Sequence, residues 1–281
     1  MYAPTIFILG DSTQKTYTWE ENGMSGYGQI LGQMFGCKVV NYSMGGRSMK
    51  ANYQEGRFND VLVAAKPGDF VFIHSAHNDE STGDSAGPAA RFGRGSNDAT
   101  YKNWLYNIYI PSMKAMGVTP VLVSSMPRTS GGVAKTSFNP DSPAILKEAA
   151  ANTEGVEFVD LFAGSQEYLS AIGAAETTYI YMSLEAGESA GKTNSGSYAN
   201  GHPDNKIDGT HYKEAAAKQW SRIIVEDIYA QKDSSSEMAE LVDLLKDDVV
   251  AACEDGNWTE HVFPEMANDV STIGNTSADA K

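Results

Sequence analysis

Short apolar runs recur along the first 160 residues, with stretches of helical spacing between them. That alternation is the signature of a parallel α/β sheet. The runs are Thr5-Ile-Phe-Ile-Leu, Lys38-Val-Val-Asn-Tyr, Asp69-Phe-Val-Phe-Ile-His, Val118 to Ser125, and Val156-Glu-Phe-Val-Asp. Helices are expected at Tyr27 to Phe35, Phe58 to Ala65, Thr100 to Met116, Ser142 to Asn152 and His211 to Gln231. Five strands separated by helices predict a doubly wound, flavodoxin-like five-stranded parallel sheet with helices on both faces. Ligands of such sheets bind beyond the carboxyl ends of the strands.

Beyond Ser234 the pattern changes. Met238, Leu241, Val242, Leu245 and Val249 keep helical spacing on an acidic background, so residues 233–281 are expected to form an acidic amphipathic C-terminal extension, a docked helix or a linker, behind a domain at 1–232. Two long loops rich in Gly, Ser and Asn, Glu80 to Ala99 and Glu185 to Ile207, are expected to ride over the strand ends.

The 281 residues carry a net charge of −15, and the segment from Ser234 to Lys281 has eleven acidic residues against two basic ones. Such a field repels phosphates and anionic lipids, so neither nucleic acid nor a membrane is an expected partner. No run approaches the ~20 apolar residues of a membrane span. The first twelve residues show no export signal. An extracellular protein is expected even so, its leader lying outside this chain, with the cytoplasm as the alternative. Cys37 and Cys253 are read as two free thiols, with a disulfide between them as the alternative.

The chemistry-bearing residues sit where the strands end. Ser12 follows the first run in Leu9-Gly10-Asp11-Ser12-Thr13, and a serine hydroxyl needs a base to become a nucleophile. Asp208-Gly-Thr-His211 could supply one, with the carboxylate fixing the imidazole tautomer. Gly46, with no Cβ to block approach, and the Asn78 amide are candidate donors to an oxyanion, beside the Ser12 N–H. Each has a plainer reading: Asp-x-x-His as a helix cap, Gly45-Gly46 as a turn, Asn78-Asp79 as an Asx turn.

Two rivals compete for the chemistry. Gly187-Glu-Ser189-Ala-Gly191 matches a nucleophile elbow, with Thr177 to Leu184 as its strand, but no helical pattern follows it. His74-x-x-His77 beside Asp79 offers metal-ligand types without a completing set, so neither metal nor cofactor is expected. His77 is expected to pack beside the site or touch substrate, and His202, in Gly-His-Pro-Asp, to shape the pocket.

Taken together, Gly10-Asp11-Ser12, Asn41-x-x-x-x-Gly46, Asn78-Asp79 and Asp208-x-x-His211 resemble the SGNH hydrolases, also called GDSL esterases, in order and in placement. The segment Asn41-Tyr-Ser-Met-Gly-Gly-Arg-Ser48, with Glu55-Gly-Arg-Phe58, is similar to the rhamnogalacturonan acetylesterase branch. The resemblance covers about residues 4 to 230. It implies Ser12 as nucleophile, Gly46 and Asn78 as oxyanion donors, and Asp208 and His211 as the acid–base pair. The third motif departs from the family at its first position, where Ala76 replaces Gly.

Tyr17, Trp19, Tyr27 and Tyr198 could offer faces to sugar rings, and neither long loop has an apolar run to bury an acyl chain. An acetylated oligo- or polysaccharide is therefore the expected substrate, with pectin rhamnogalacturonan or xylan as its backbone. Arg47, Arg57, Arg91 and Arg94 could offset the negative field locally for an anionic glycan, since screening acts over about 8–10 Å. A lipase or thioesterase specificity and a non-catalytic carbohydrate-binding protein are the alternatives.

Overall fold

The computed structural model describes residues 3–17, 24–80, 98–182 and 208–258. In chain order the elements are β1 (Thr5–Leu9), α1 (Tyr27–Met34), β2 (Lys38–Asn41), α2 (Met49–Gln54), α3 (Arg57–Ala64) and β3 (Phe70–Ile73). Then come α4 (Asp98–Trp104), a π-helical turn (Leu105–Tyr109), α5 (Ile110–Ala115), β4 (Thr119–Val123), β5 (Thr129–Ser130), β6 (Val133–Ala134), α6 (Ser142–Ala151) and β7 (Glu157–Val159). Last are α7 (Leu161–Ile180), β8 (Tyr181–Met182), β9 (Asp208–Tyr212), α8 (Glu214–Ala230), α9 (Ser236–Asp243) and α10 (Asp247–Asp255).

Five parallel strands form the main sheet in the order β2-β1-β3-β4-β7. The chain order reverses direction between β1 and β3, the topological switch point of this architecture. Alternation along β1 sends Ile6 and Ile8 to one face and Phe7 and Leu9 to the other. The first face packs on α1 and α8, where Tyr27, Ile30, Trp220 and Ile224 are fully buried. The second packs on α3, α5 and α6 with Phe58, Met113 and Leu146. Burial on both faces explains why the three inner strands, β1, β3 and β4, read as apolar runs rather than alternating ones.

The expected helix Thr100 to Met116 is two helices joined by the π turn. Pro111 has no N–H to return to the carbonyl four residues back, so the helical register loosens just before it. The expected helix His211 to Gln231 begins only at Glu214. Residues 208–212 are instead a strand, β9, antiparallel to β8, with Tyr212 also bridging Ser25. Residues Thr177–Ile180, read as the start of a strand, complete α7.

Residues 236–258 pack on the first core face. The Ser235 hydroxyl caps α9 by accepting from the Met238 N–H, and Met238, Leu241, Val249 and Ala252 are buried in that cluster. Gly36 N–H donates to Leu244 O (2.8 Å) and Lys246 N–H to Met34 O (3.0 Å), clasping this segment to the end of α1. Cys37 and Cys253 are free thiols, both half-buried. No helix among the described residues is long and apolar enough to cross a membrane.

Candidate active site

Ser12 lies in the turn after β1. Its Oγ and His211 Nε2 are 2.8 Å apart, and His211 Nδ1 and Asp208 Oδ2 are 2.7 Å apart. One residue on, Tyr212 is fully buried, and its hydroxyl donates to Thr13 O while accepting from the Tyr27 N–H. Tyr212 thus pins residue 211 beside residue 12. Beneath it, Trp220 meets Tyr168, Tyr181 and Tyr212 edge-on, with ring centroids 5.9, 6.5 and 6.0 Å away. Edge-to-face contacts of this kind add to the stability of a buried aromatic cluster.

Asp208 Oδ1 accepts from the N–H groups of Thr210 (2.9 Å) and His211 (3.2 Å), so the carboxylate is oriented from both oxygens. Burial acts to raise its pKa. The His211 imidazole, its hydrogen bond and the two backbone donors outweigh that, holding the carboxyl well below the usual range. It is ionised at neutral pH, as a carboxylate that fixes a tautomer must be.

The Gly45-Gly46 turn lies against Ser12, since a Cβ added at Gly45 would stand 3.7 Å from the Ser12 Cβ. Gly46 adopts φ 78°, in the left-handed region that glycine enters without penalty. Asn78 Nδ2 donates to Asp11 Oδ2 at 3.2 Å. An amide nitrogen carries two N–H bonds, so Asp11 orients the group with one and leaves the second for a ligand. Asp11 is fully buried, its Oδ1 accepting from the N–H and hydroxyl of Thr13 at 2.8 Å each. Burial raises its pKa against the pull of those two bonds. The carbonyl of Ala76, the residue at the family's glycine position, accepts from the N–H groups of Asp79 and Glu80 and closes the turn that carries Asn78.

Three expectations need correction. Arg47 does not face a substrate: it is buried, with Nε on Glu55 Oε2 (2.9 Å) and Nη1 on Gly45 O (2.6 Å). Its guanidinium braces the glycine turn. Of the two expectations for His77 only contact with substrate is set aside: it packs beside the site, 4% exposed, with both ring nitrogens used internally. Tyr17 and Tyr27 also turn inward, Tyr17 donating to Ser12 O at 2.7 Å. His202, Ser189, Trp19, Tyr198, Arg91 and Arg94 lie outside the described residues.

His74 and His77 belong to one buried chain of hydrogen bonds, whose direction follows from its end. Met126 O can only accept, so His77 Nε2 carries the proton (3.1 Å). Burial, reinforced by Arg128, pushes the His77 pKa well down, and burial takes His74 to about 3. Both rings are therefore neutral. His77 Nδ1 then accepts from the Ser125 hydroxyl (3.3 Å), Ser125 Oγ accepts from His74 Nε2–H (2.7 Å), and His74 Nδ1 accepts from the Tyr27 hydroxyl (3.0 Å). Among the described residues no group of three or more His, Cys, Asp or Glu side chains is arranged to hold a metal ion.

Arg128, after β4, was not singled out by its sequence. Its Nε reaches Glu80 Oε2 (2.8 Å), its Nη2 His77 O (2.8 Å) and its Nη1 Thr210 Oγ1. The available signal was its position, a charged residue in a loop at the carboxyl end of a sheet strand.

The chain is similar in sequence and in fold to known proteins. Over 186 residues the chain is 31% identical to the probable rhamnogalacturonan acetylesterase YesY of Bacillus subtilis, covering 65% of this chain and 81% of the relative. It is 26% identical over 230 residues to the rhamnogalacturonan acetylesterase RhgT of the same organism, covering 79% and 88%. The crystal structure of the Bacillus subtilis protein YxiM shares the fold, with a TM-score of 0.62 at 23% identity over 83% of this chain. The chain spans 58% of that structure's length. The profile of the GDSL-like lipase/acylhydrolase family matches residues 6–224, and this chain belongs to that family.

Proposed function

We propose that this chain is a carbohydrate O-acetylesterase that removes acetyl groups from an acetylated plant polysaccharide through a Ser12 acyl-enzyme. The observation that carries the reading is the unbroken series of hydrogen bonds from Asp208 through His211 to the Ser12 hydroxyl. Ser12 Oγ attacks the ester carbonyl carbon while His211 Nε2 takes its proton. The resulting oxyanion accepts from the Asn78 amide and from the N–H groups of Ser12 and Gly46. Collapse breaks the bond to the sugar oxygen, which His211 protonates as it leaves. Water, deprotonated by the same imidazole, then attacks the acetyl-serine, and acetate departs as Ser12 recovers its proton.

Loss of one oxyanion donor typically costs about 10²–10³ in kcat. Asn78→Ala is accordingly expected to lower kcat on p-nitrophenyl acetate by about that factor with little change in KM. An unchanged kcat would remove Asn78 from the oxyanion site.

The two named relatives point to rhamnogalacturonan as the backbone. Acetate release should be measured on acetylated rhamnogalacturonan and acetylated xylan in parallel, and faster release from xylan would reassign the backbone. Against the lipase alternative, kcat/KM for p-nitrophenyl acetate is expected to exceed that for the octanoate by about tenfold or more. A preference for the octanoate would end the acetyl reading.

A further inference from the structure

We propose that Arg128 is a positioning residue that holds the oxyanion loop and the acid–base strand at a fixed separation. The inference rests on the Ser12 hydrolase reading given above.

Asn78 and His211 arrive on different elements, one in the turn after β3 and the other on β9. Among the described residues, Arg128 is the side chain that grips both. Its Nη2 donates to His77 O, in the residue before Asn78, and its Nη1 donates to Thr210 Oγ1, in the residue before His211. The third donor, Nε, is held by Glu80 Oε2 at 2.8 Å, two residues past Asn78. A planar guanidinium presents its donors in a fixed fork, which lysine's flexible ammonium does not. The plane is therefore set on one side by both flanks of Asn78 and on the other by the turn that orients Asp208.

The backbone next to Arg128 reinforces the contact. Arg128 O accepts from the Lys135 N–H at 2.8 Å, closing the base of the β5–β6 hairpin. Thr129 O then lies so near β9 that a Cβ on Gly209 would stand 2.0 Å from it. Gly209 is thus the residue that lets the Asp208–His211 strand rest on the shelf formed by residues 128 and 129. Arg128 touches none of the groups that bond to the reacting ester. Its effect is exerted through Thr210 on the acid–base pair and through His77 and Glu80 on Asn78.

A misplacement of about 1 Å at a reacting group costs on the order of 10²-fold in rate. Arg128→Ala is therefore expected to lower kcat on p-nitrophenyl acetate by about 10²-fold, with KM little changed. Arg128→Lys should recover only part of the loss, and millimolar methylguanidinium should restore part of the activity of Arg128→Ala. Thr210→Val removes one of the three contacts at constant shape, and it should also lower kcat. The double variant Arg128→Ala/Thr210→Val should be no slower than Arg128→Ala alone, because both act through one contact.

A kcat for Arg128→Ala within twofold of wild type would overturn the proposal. So would a loss that tracks a fall in Tm and responds to neither lysine nor methylguanidinium, or additive losses in the double variant. Ser12→Ala runs alongside as control. Activity surviving in Ser12→Ala sinks the hydrolase reading itself, whereas an inactive Ser12→Ala beside a fully active Arg128→Ala sinks only the role given to Arg128.

Discussion

Ser12→Ala is expected to lower kcat on p-nitrophenyl acetate by about 10⁶-fold, the typical consequence of removing the nucleophile from a serine hydrolase. That factor corresponds to about 8 kcal/mol of transition-state stabilisation at 1.36 kcal/mol per decade. The loss should appear in kcat and leave binding largely intact, because the hydroxyl acts on the reacting carbon and little else. Its backbone carbonyl, which accepts from the Tyr17 hydroxyl, is retained in the variant, so Tm should hold. Ser189→Ala is the matched control. Ser189 sits in the competing Gly-x-Ser-x-Gly sequence, and its replacement should leave turnover unchanged. Activity that survived loss of Ser12 and vanished with Ser189 would move the chemistry to the other serine.

The second large effect is expected at Asp208. Asp208→Asn keeps the size of the side chain but exchanges a charged acceptor for an amide, which can hold the wrong imidazole tautomer. In serine hydrolases this exchange lowers kcat by about 10⁴-fold. The pH dependence carries a separate signature. A carboxyl whose folded-state pKa is depressed contributes stability above its unfolded value, and that stability is lost as pH falls through the folded value. Asp208 is held in that way, mainly by His211 against the effect of burial. Wild-type Tm should therefore fall more steeply than that of Asp208→Asn as the pH drops below about 4, the unfolded carboxylate range. Parallel Tm profiles for the two proteins would show that the His211–Asp208 pair contributes nothing to acid stability.

The three inner strands of the main sheet were legible because both faces are buried, which leaves apolar runs. β1 is observed at Thr5–Leu9, matching its run. α7 was not legible. It contains Gly164 and Gly173, and two of its four buried positions are Ser165 and Thr177, which an apolar pattern passes over. At the site, Ser12, Asp208 and His211 were readable because the spacing of the last two is local and the family motif fixes the first. What the chain could not show is direction in space. Tyr17, Tyr27, Arg47 and His77 have the residue types of a substrate cleft, yet each spends its polar atoms on a neighbour inside the fold. Arg128 was invisible for the converse reason, since its three partners lie 48, 51 and 82 positions away.

The hydroxyl and the imidazole that meet at 2.8 Å are separated by 199 positions. Contacts of such long range form late, because the loop-closure entropy has to be met before they contribute. During synthesis, a nascent chain that stops short of β9 exposes Ser12 without the imidazole it meets in the folded protein. On the mechanism proposed above, Ser12 therefore acquires its base only after β9 has brought His211 back beside β1.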